Sequence, residues 1–163
     1  MKERRAHVVY TGGALRFEVR TGSGREVVFG DEPKVNEHSP VEIVVAAVAA
    51  CAGMDVASIL AKKRQVPESY EIEVEAQQRD EYPQVLTTID VLHIVTGPDV
   101  TEQAIRRCIE LSATKYCPVN AMLSAGATAV HHRYRIRNTG KEPSEAEGEV
   151  IVTGPGKFPE VVA

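Results

Sequence analysis

Two cysteines in unlike settings are the residues of this chain best able to do chemistry. Cys51 lies in the uncharged run Ile43-Val44-Val45-Ala46-Ala47-Val48-Ala49-Ala50-Cys51-Ala52-Gly53-Met54. Cys117 lies in Tyr116-Cys117-Pro118-Val119, where a helix is expected to begin. One thiol in an apolar helix and another at a helix start suggest a redox pair. A cysteine attacks only as thiolate, so each setting must be asked what lowers its pKa. For Cys117 the free N–H groups and dipole of the new helix favour an anion. Cys51 sits about three turns inside its helix. Among alanines and valines its pKa should rise unless a cation reaches it.

The helical wheel extends this reading. At about 100° per residue, Val44, Ala47, Val48, Met54, Asp55 and Ser58 share the Cys51 side. The polar pair Asp55 and Ser58 suggests that this side opens onto a pocket or an interface. Glu42 is half a turn out of phase with Cys51 and roughly 13 Å away along the axis. In a straight helix it reaches Cys51 only through a partner subunit or an intermediary arginine. Cys108, on the apolar stripe of a later helix, reads as a core residue.

The elements that must position these thiols are marked by periodicity and capping. His7 to Tyr10, Leu15 to Arg20 and Val27 to Phe29 read as hairpin strands separated by Gly12-Gly13 and by Gly22 and Gly24. Residues 30–38 read as a polar loop. Ser39-Pro40-Val41-Glu42 is a capping box opening a long helix, and Lys62-Lys63-Arg64 places cations at its other end. That helix is apolar nearly all round, so a sheet and other helices, or a partner chain, must cover it. A strand with one wet face follows at Glu71–Gln77, then a more central one over Val85–Thr96. Asp99-Val100-Thr101-Glu102 predicts a second capping box. A short helix is expected from Pro118 to about Gly126, and a core strand over Val130–Arg137. Residues 138–148 read as a polar linker, followed by Val150-Ile151-Val152.

These boundaries predict one domain over residues 1–137 and a C-terminal extension over 138–163, either a surface appendage or an extra strand. The 163 residues suffice for a sizeable core, and the net charge of −4 carries no basic stripe, so nucleic acid and acidic membranes are not expected partners. The longest charge-free apolar run falls short of the roughly 18 residues that span a membrane. Met1-Lys2-Glu3-Arg4-Arg5 runs into strand-like sequence without a signal-peptide pattern, and three cysteines are an odd count. Together these point to free thiols in a reducing cytoplasm. His131 and His132, as strand neighbours, face opposite ways, so no metal site is read there and no cofactor is expected.

The segments Ser39-Pro40-Val41-Glu42 through Ala49-Ala50-Cys51-Ala52-Gly53-Met54-Asp55-Val56, and Leu111-Ser112-Ala113-Thr114-Lys115-Tyr116-Cys117-Pro118-Val119, resemble the OsmC/Ohr family. Within it they look closest to the YhfA-like branch, as do Ile94-Val95-Thr96-Gly97 and the stretch 79–83. The resemblance covers roughly residues 6–137. It implies an α+β fold of antiparallel sheets around long buried central helices, in an intertwined homodimer. It further implies a thiol-dependent peroxidase acting on organic hydroperoxides. In that role Cys51 becomes a sulfenic acid, Cys117 resolves it as a disulfide, and an external dithiol reduces the pair.

Two positions depart from the Ohr pattern. That branch places an arginine after a glycine pair in the first hairpin, where this chain has Ala14. It also has glutamate directly after the helix proline, where this chain has Val41, the acid having moved to Glu42. Glu42 is carried as a catalytic candidate, and Arg79 as the replacement cation, with Arg16, Arg20 and Arg25 as other candidates. Without such a cation, the alternative is a non-enzymatic dimer that binds a small apolar ligand or senses redox state. A third reading is a structural protein whose C-terminal tail docks a partner.

Overall fold

The computed structural model describes residues 2–12, 15–30 and 37–155. The chain forms two compact units, Met1–Val44 and Val45–Ala163. The division falls inside the long helix. In the first unit β1 (Ala6–Gly12), β2 (Arg16–Thr21) and β3 (Glu26–Phe29) form an antiparallel sheet in that order. Ion pairs bind its arginines locally: Arg16 to Glu37 at 3.2 Å and Arg20 to Glu26 at 2.7 Å. Gly13 and Ala14, at the Ohr arginine position, lie outside the described residues.

Helix α1 (Pro40–Lys62) begins where capping logic places it. The Ser39 N–H donates to Glu42 Oε2 at 3.2 Å, the backbone half of a capping box. Its end is a Schellman turn: Arg64 takes φ 58°, and Gln65 N–H donates to Leu60 O at 3.0 Å. By length and composition α1 is apolar enough to cross a membrane, and only 28% of its most apolar window is buried within the chain. Val48, Ala52, Val56 and Leu60 form the buried stripe, whereas Met54 is 76% exposed. The expectation of a long buried central helix is therefore met on one side only within a single chain.

The second unit carries β4 (Ser69–Gln78), β5 (Leu86–Gly97), β6 (Ala129–Asn138) and β7 (Ser144–Thr153) in that order across one sheet. Its β4–β5 and β6–β7 pairs are antiparallel, as expected, and β5 and β6 run parallel at its centre. A parallel pair needs a crossover. Here it consists of α2 (Glu102–Leu111), a π-helical turn (Ser112–Tyr116) and α3 (Pro118–Ser124). The α2 cap is Thr101, whose Oγ1 accepts from Ala104 N–H, so the box predicted on Asp99 is shifted. One core joins Val56 and Leu60 of α1 to Ile105, Cys108 and Ile109 of α2 and to sheet residues including Val95 and Ile136.

Residues 144–148, read as linker, belong to β7, which closes the edge of β6. A bulge at Val150 shifts its alternation: Glu145, Glu147 and Glu149 point outward before it, and Ile151 and Thr153 point inward after it. The outward acids meet Arg137, Arg135 and Arg133 of β6 at 3.5, 3.4 and 3.9 Å. Such exposed pairs add little energy, so inward packing sets the register and the charges reinforce it.

Gly154 ends β7 at φ 126°, where a Cβ would lie 2.2 Å from the Thr128 carbonyl oxygen. Gly154→Ala is therefore expected to lower the melting temperature by roughly 5–10 °C. An unchanged calorimetric melt would contradict that reading.

Candidate functional site

The two cysteine segments, far apart in sequence, meet in the second unit. Cys51 Sγ, Cys117 Sγ and an Asp55 carboxylate oxygen all lie within 4.8 Å of one another. Cys51 and Asp55 are neighbours because i and i+4 share a helix face. Both are partly exposed, whereas Cys117 is buried. All three cysteines are free thiols, and Cys108 is fully buried in the core, as its apolar stripe predicts.

Cys117 is brought to Cys51 by the π-helical turn. The Cys117 N–H donates to Ser112 O at 2.9 Å, the i to i−5 bond that defines such a turn. Ser112 also donates its Oγ–H to Asp55 Oδ2 at 3.0 Å, tying the crossover to α1. Cys117 then adopts extended backbone (φ −76°, ψ 103°) and serves as N-cap of α3, its sulfur accepting from Asn120 N–H at 3.3 Å. Sequence reasoning placed that cap and missed the π turn, because π turns have no reliable residue signature.

The expected ease of ionising Cys117 is overturned. Burial, then a thiol hydrogen bond to Cys51, pushes its pKa up to about 12. The N–H groups of Asn120 and Val119 pull it down and do not prevail. The dipole of one short helix is small beside the desolvation of a buried thiolate.

Behind Cys117 lies a buried polar chain that the sequence did not disclose. Asn120 donates its amide to Ala113 O at 2.8 Å, which leaves Oδ1 as acceptor for His132 Nε2 at 3.1 Å. Thr153 Oγ1 stands 3.2 and 3.3 Å from the two ends of the same amide. His132 Nδ1 meets His93 Nε2 at 3.3 Å, and His93 Nδ1 meets Tyr70 Oη at 2.7 Å. If Nε2 of His132 carries its proton, neutrality makes Nδ1 an acceptor, His93 Nε2 a donor, and Tyr70 the donor at the far end. Burial holds both rings neutral, with His93 brought down to about 3 and His132 to about 4. The His131-His132 doublet thus splits by strand parity: His132 enters this chain, and His131 Nδ1 faces Glu149 Oε2 at 3.1 Å.

The two remaining candidates are engaged elsewhere. Glu42 accepts the Ser39 N–H in the cap of α1. Arg79 donates its Nε to the Pro83 carbonyl in the β4–β5 turn. Among the described residues, the cluster's hydrogen bonds come from Ser112, the Val119 and Asn120 backbone and the thiols themselves, and no arginine or lysine supplies one. The charged neighbour of the thiols is Asp55, which the helical wheel had placed on their side without a role. A groove of about 830 Å3 lined by Lys63, Thr101, Glu102, Arg107 and Glu110 has neither thiol in its walls.

A sequence model of the family described as OsmC-like protein matches residues 32–147. This chain belongs to the OsmC-like family. The match takes in the start of β7, so the family region extends past residue 137. "Protein YhfA" of Escherichia coli K12 is 35% identical over 122 residues, covering 75% of this chain and 90% of that protein. A hypothetical protein from Aquifex aeolicus is 26% identical with a TM-score of 0.75, covering 84% of this chain and 98% of that one. An organic hydroperoxide resistance protein OsmC from Legionella pneumophila shares the fold at a TM-score of 0.62 and 13% identity, with 83% and 97% of the two chains covered.

Proposed function

We propose that this OsmC-like protein is a thiol-dependent peroxidase for organic hydroperoxides. The observation that carries this reading is the meeting of Cys51 and Cys117 within 4.8 Å. The partly exposed Cys51, as thiolate, attacks the O–O bond, releasing the alcohol and leaving Cys51 as sulfenic acid. The Cys117 sulfur then displaces that hydroxyl, which leaves as water with the Cys117 proton, and a disulfide forms. An external dithiol returns the pair to thiols. The names of the Legionella relative and of other hydroperoxide resistance proteins with this fold support the substrate class. The chain acts as a soluble, cytoplasmic homodimer in which a second copy covers the exposed side of α1, where Met54 and Ala50 point outward.

The test compares wild type, Cys51→Ser and Cys117→Ser for cumene hydroperoxide consumption with a dithiol donor. Cys51→Ser is expected to lose at least about 100-fold in rate, as for loss of a nucleophile. Cys117→Ser should accumulate a dimedone-reactive sulfenic acid. Full consumption by Cys51→Ser refutes the assignment.

Asp55 favours a second reading. It is the charged side chain beside the thiols, and among the described residues no arginine or lysine bonds to them to activate a peroxidatic thiolate, so the thiols would serve a redox-sensing or ligand-binding dimer. That protein would bind an apolar probe saturably and form the disulfide once per oxidation, without dithiol-driven turnover.

A further inference from the structure

The charge arrangement at the thiols is unusual for nucleophilic catalysis and well suited to another chemistry. Two sulfurs and one carboxylate oxygen converge, and among the described residues no cationic side chain bonds to them. Such a set attracts a positive charge, and soft thiolate ligands select which cations can fill it. We propose that the reduced Cys51–Asp55–Cys117 group is a binding site for a thiolate-preferring divalent cation, of which Zn2+ is the type. This goes beyond the peroxidase reading and does not depend on it.

Three further features support the site. First, the geometry is close: ideal tetrahedral zinc sets S···S at about 3.8 Å and S···O at about 3.5 Å. The present atoms lie within 4.8 Å of one another, so small side-chain rotations bring them in. Second, outer partners that orient ligands are already in place. Ser112 Oγ–H holds Asp55 Oδ2 at 3.0 Å, and Asn120 N–H donates to Cys117 Sγ at 3.3 Å. Third, Cys51 and Asp55 are partly exposed, which leaves an entry path and a fourth coordination position for water or an incoming ligand. On binding, two S–H protons pass to solvent as two S–metal bonds form. The formal charge of the group is then the same before and after. Oxidation of the pair to a disulfide, by hydroperoxide or another two-electron oxidant, removes both thiolate ligands and releases the ion. The ion in turn shields the thiols from oxidation.

The experiment uses the reduced full chain under argon, without peroxide, titrated with Co2+ and then Zn2+. A thiolate-to-cobalt charge-transfer band and the intense visible bands of tetrahedral Co2+ are expected, saturating at one ion per chain and bleached by Zn2+. Cys51→Ser and Cys117→Ser should weaken binding by more than about 100-fold, and Asp55→Asn and Ser112→Ala by about 10-fold or more. Serine is itself a good N-cap, so Cys117→Ser is expected to melt like wild type. Diamide-oxidised protein should bind nothing at this site, and His131→Ala should bind as wild type does. Absence of the charge-transfer band, or its persistence in Cys51→Ser, overturns the proposal. So does loss of binding in His131→Ala. Because no peroxide is present, a protein that never turns over hydroperoxide still gives a decisive result.

Discussion

Lowering the pH from about 7 to about 4.5 is expected to destabilise the protein by on the order of 5 kcal/mol, through His93 and His132 alone. Both rings are buried in the hydrogen-bonded chain from Tyr70 to Asn120, and burial is the first cause holding them neutral. The second cause is a neighbouring imidazole, His132 for His93 and His131 for His132. Their native pKa values, about 3 and about 4, lie below the ordinary 6.5. Above that ordinary value neither state takes a proton and the native state carries no penalty. As pH falls below it, the unfolded chain binds protons that the folded chain refuses, and stability declines until the native rings titrate. Each group contributes about 1.4 kcal/mol per pH unit in that window. Urea unfolding at several pH values reads the slope directly. In His93→Phe the slope should fall by about half, whatever the variant's absolute stability. A flat profile between pH 6.5 and 4.5 would show that the rings are not held neutral.

Asn120→Ala should remove about 4 kcal/mol at neutral pH. One side chain satisfies Ala113 O, His132 Nε2 and Thr153 Oγ1, all in buried surroundings. Truncation leaves those groups without partners, and an unpaired buried polar group costs about 1–3 kcal/mol. Cys117 Sγ still accepts the Asn120 backbone N–H, so the cap of α3 survives the substitution and the loss comes from the unpaired groups. Disulfide formation between Cys51 and Cys117 under diamide should slow in parallel, measured by mass spectrometry of the trapped thiols. A variant within about 1 kcal/mol of wild type in urea would remove Asn120 from its place as the hub.

These residues and the thiols differ in how far the sequence alone reveals them. Periodicity and caps located α1, α3, β4 and β5 because burial on one face and satisfaction of helix ends leave local traces. The Cys51 and Cys117 motifs were legible for the same reason, each being a short run with its own chemistry. Asp55 was half legible: the wheel placed it beside Cys51, but nothing local showed Ser112 holding it. Tyr70, His93, Asn120 and His132 come from four separate segments and meet only through sheet register and the parallel crossover. No spacing rule connects them. The pKa of Cys117 was misjudged because the helix end is visible in sequence and the depth of burial is not. The segment of β7 reads as a linker up to residue 148 and as part of an extension that is either an appendage or an extra strand; the sequence leaves that choice open because its glutamates look like a solvated run until β6 supplies the arginines opposite.

The π-helical turn at Ser112–Tyr116 makes the number of residues in the crossover chemically meaningful. A π turn accommodates one residue more than an α turn over the same bond pattern. A chain with the same residue types and one fewer between Leu111 and Pro118 would swing the Cys117 side chain by roughly 100° about the axis, while the stripe of α2 kept its phase. The sulfur would then face away from α1. In this protein the pairing of two thiols is thus encoded by counting as much as by composition, as a vernier reads position from an offset of a single division.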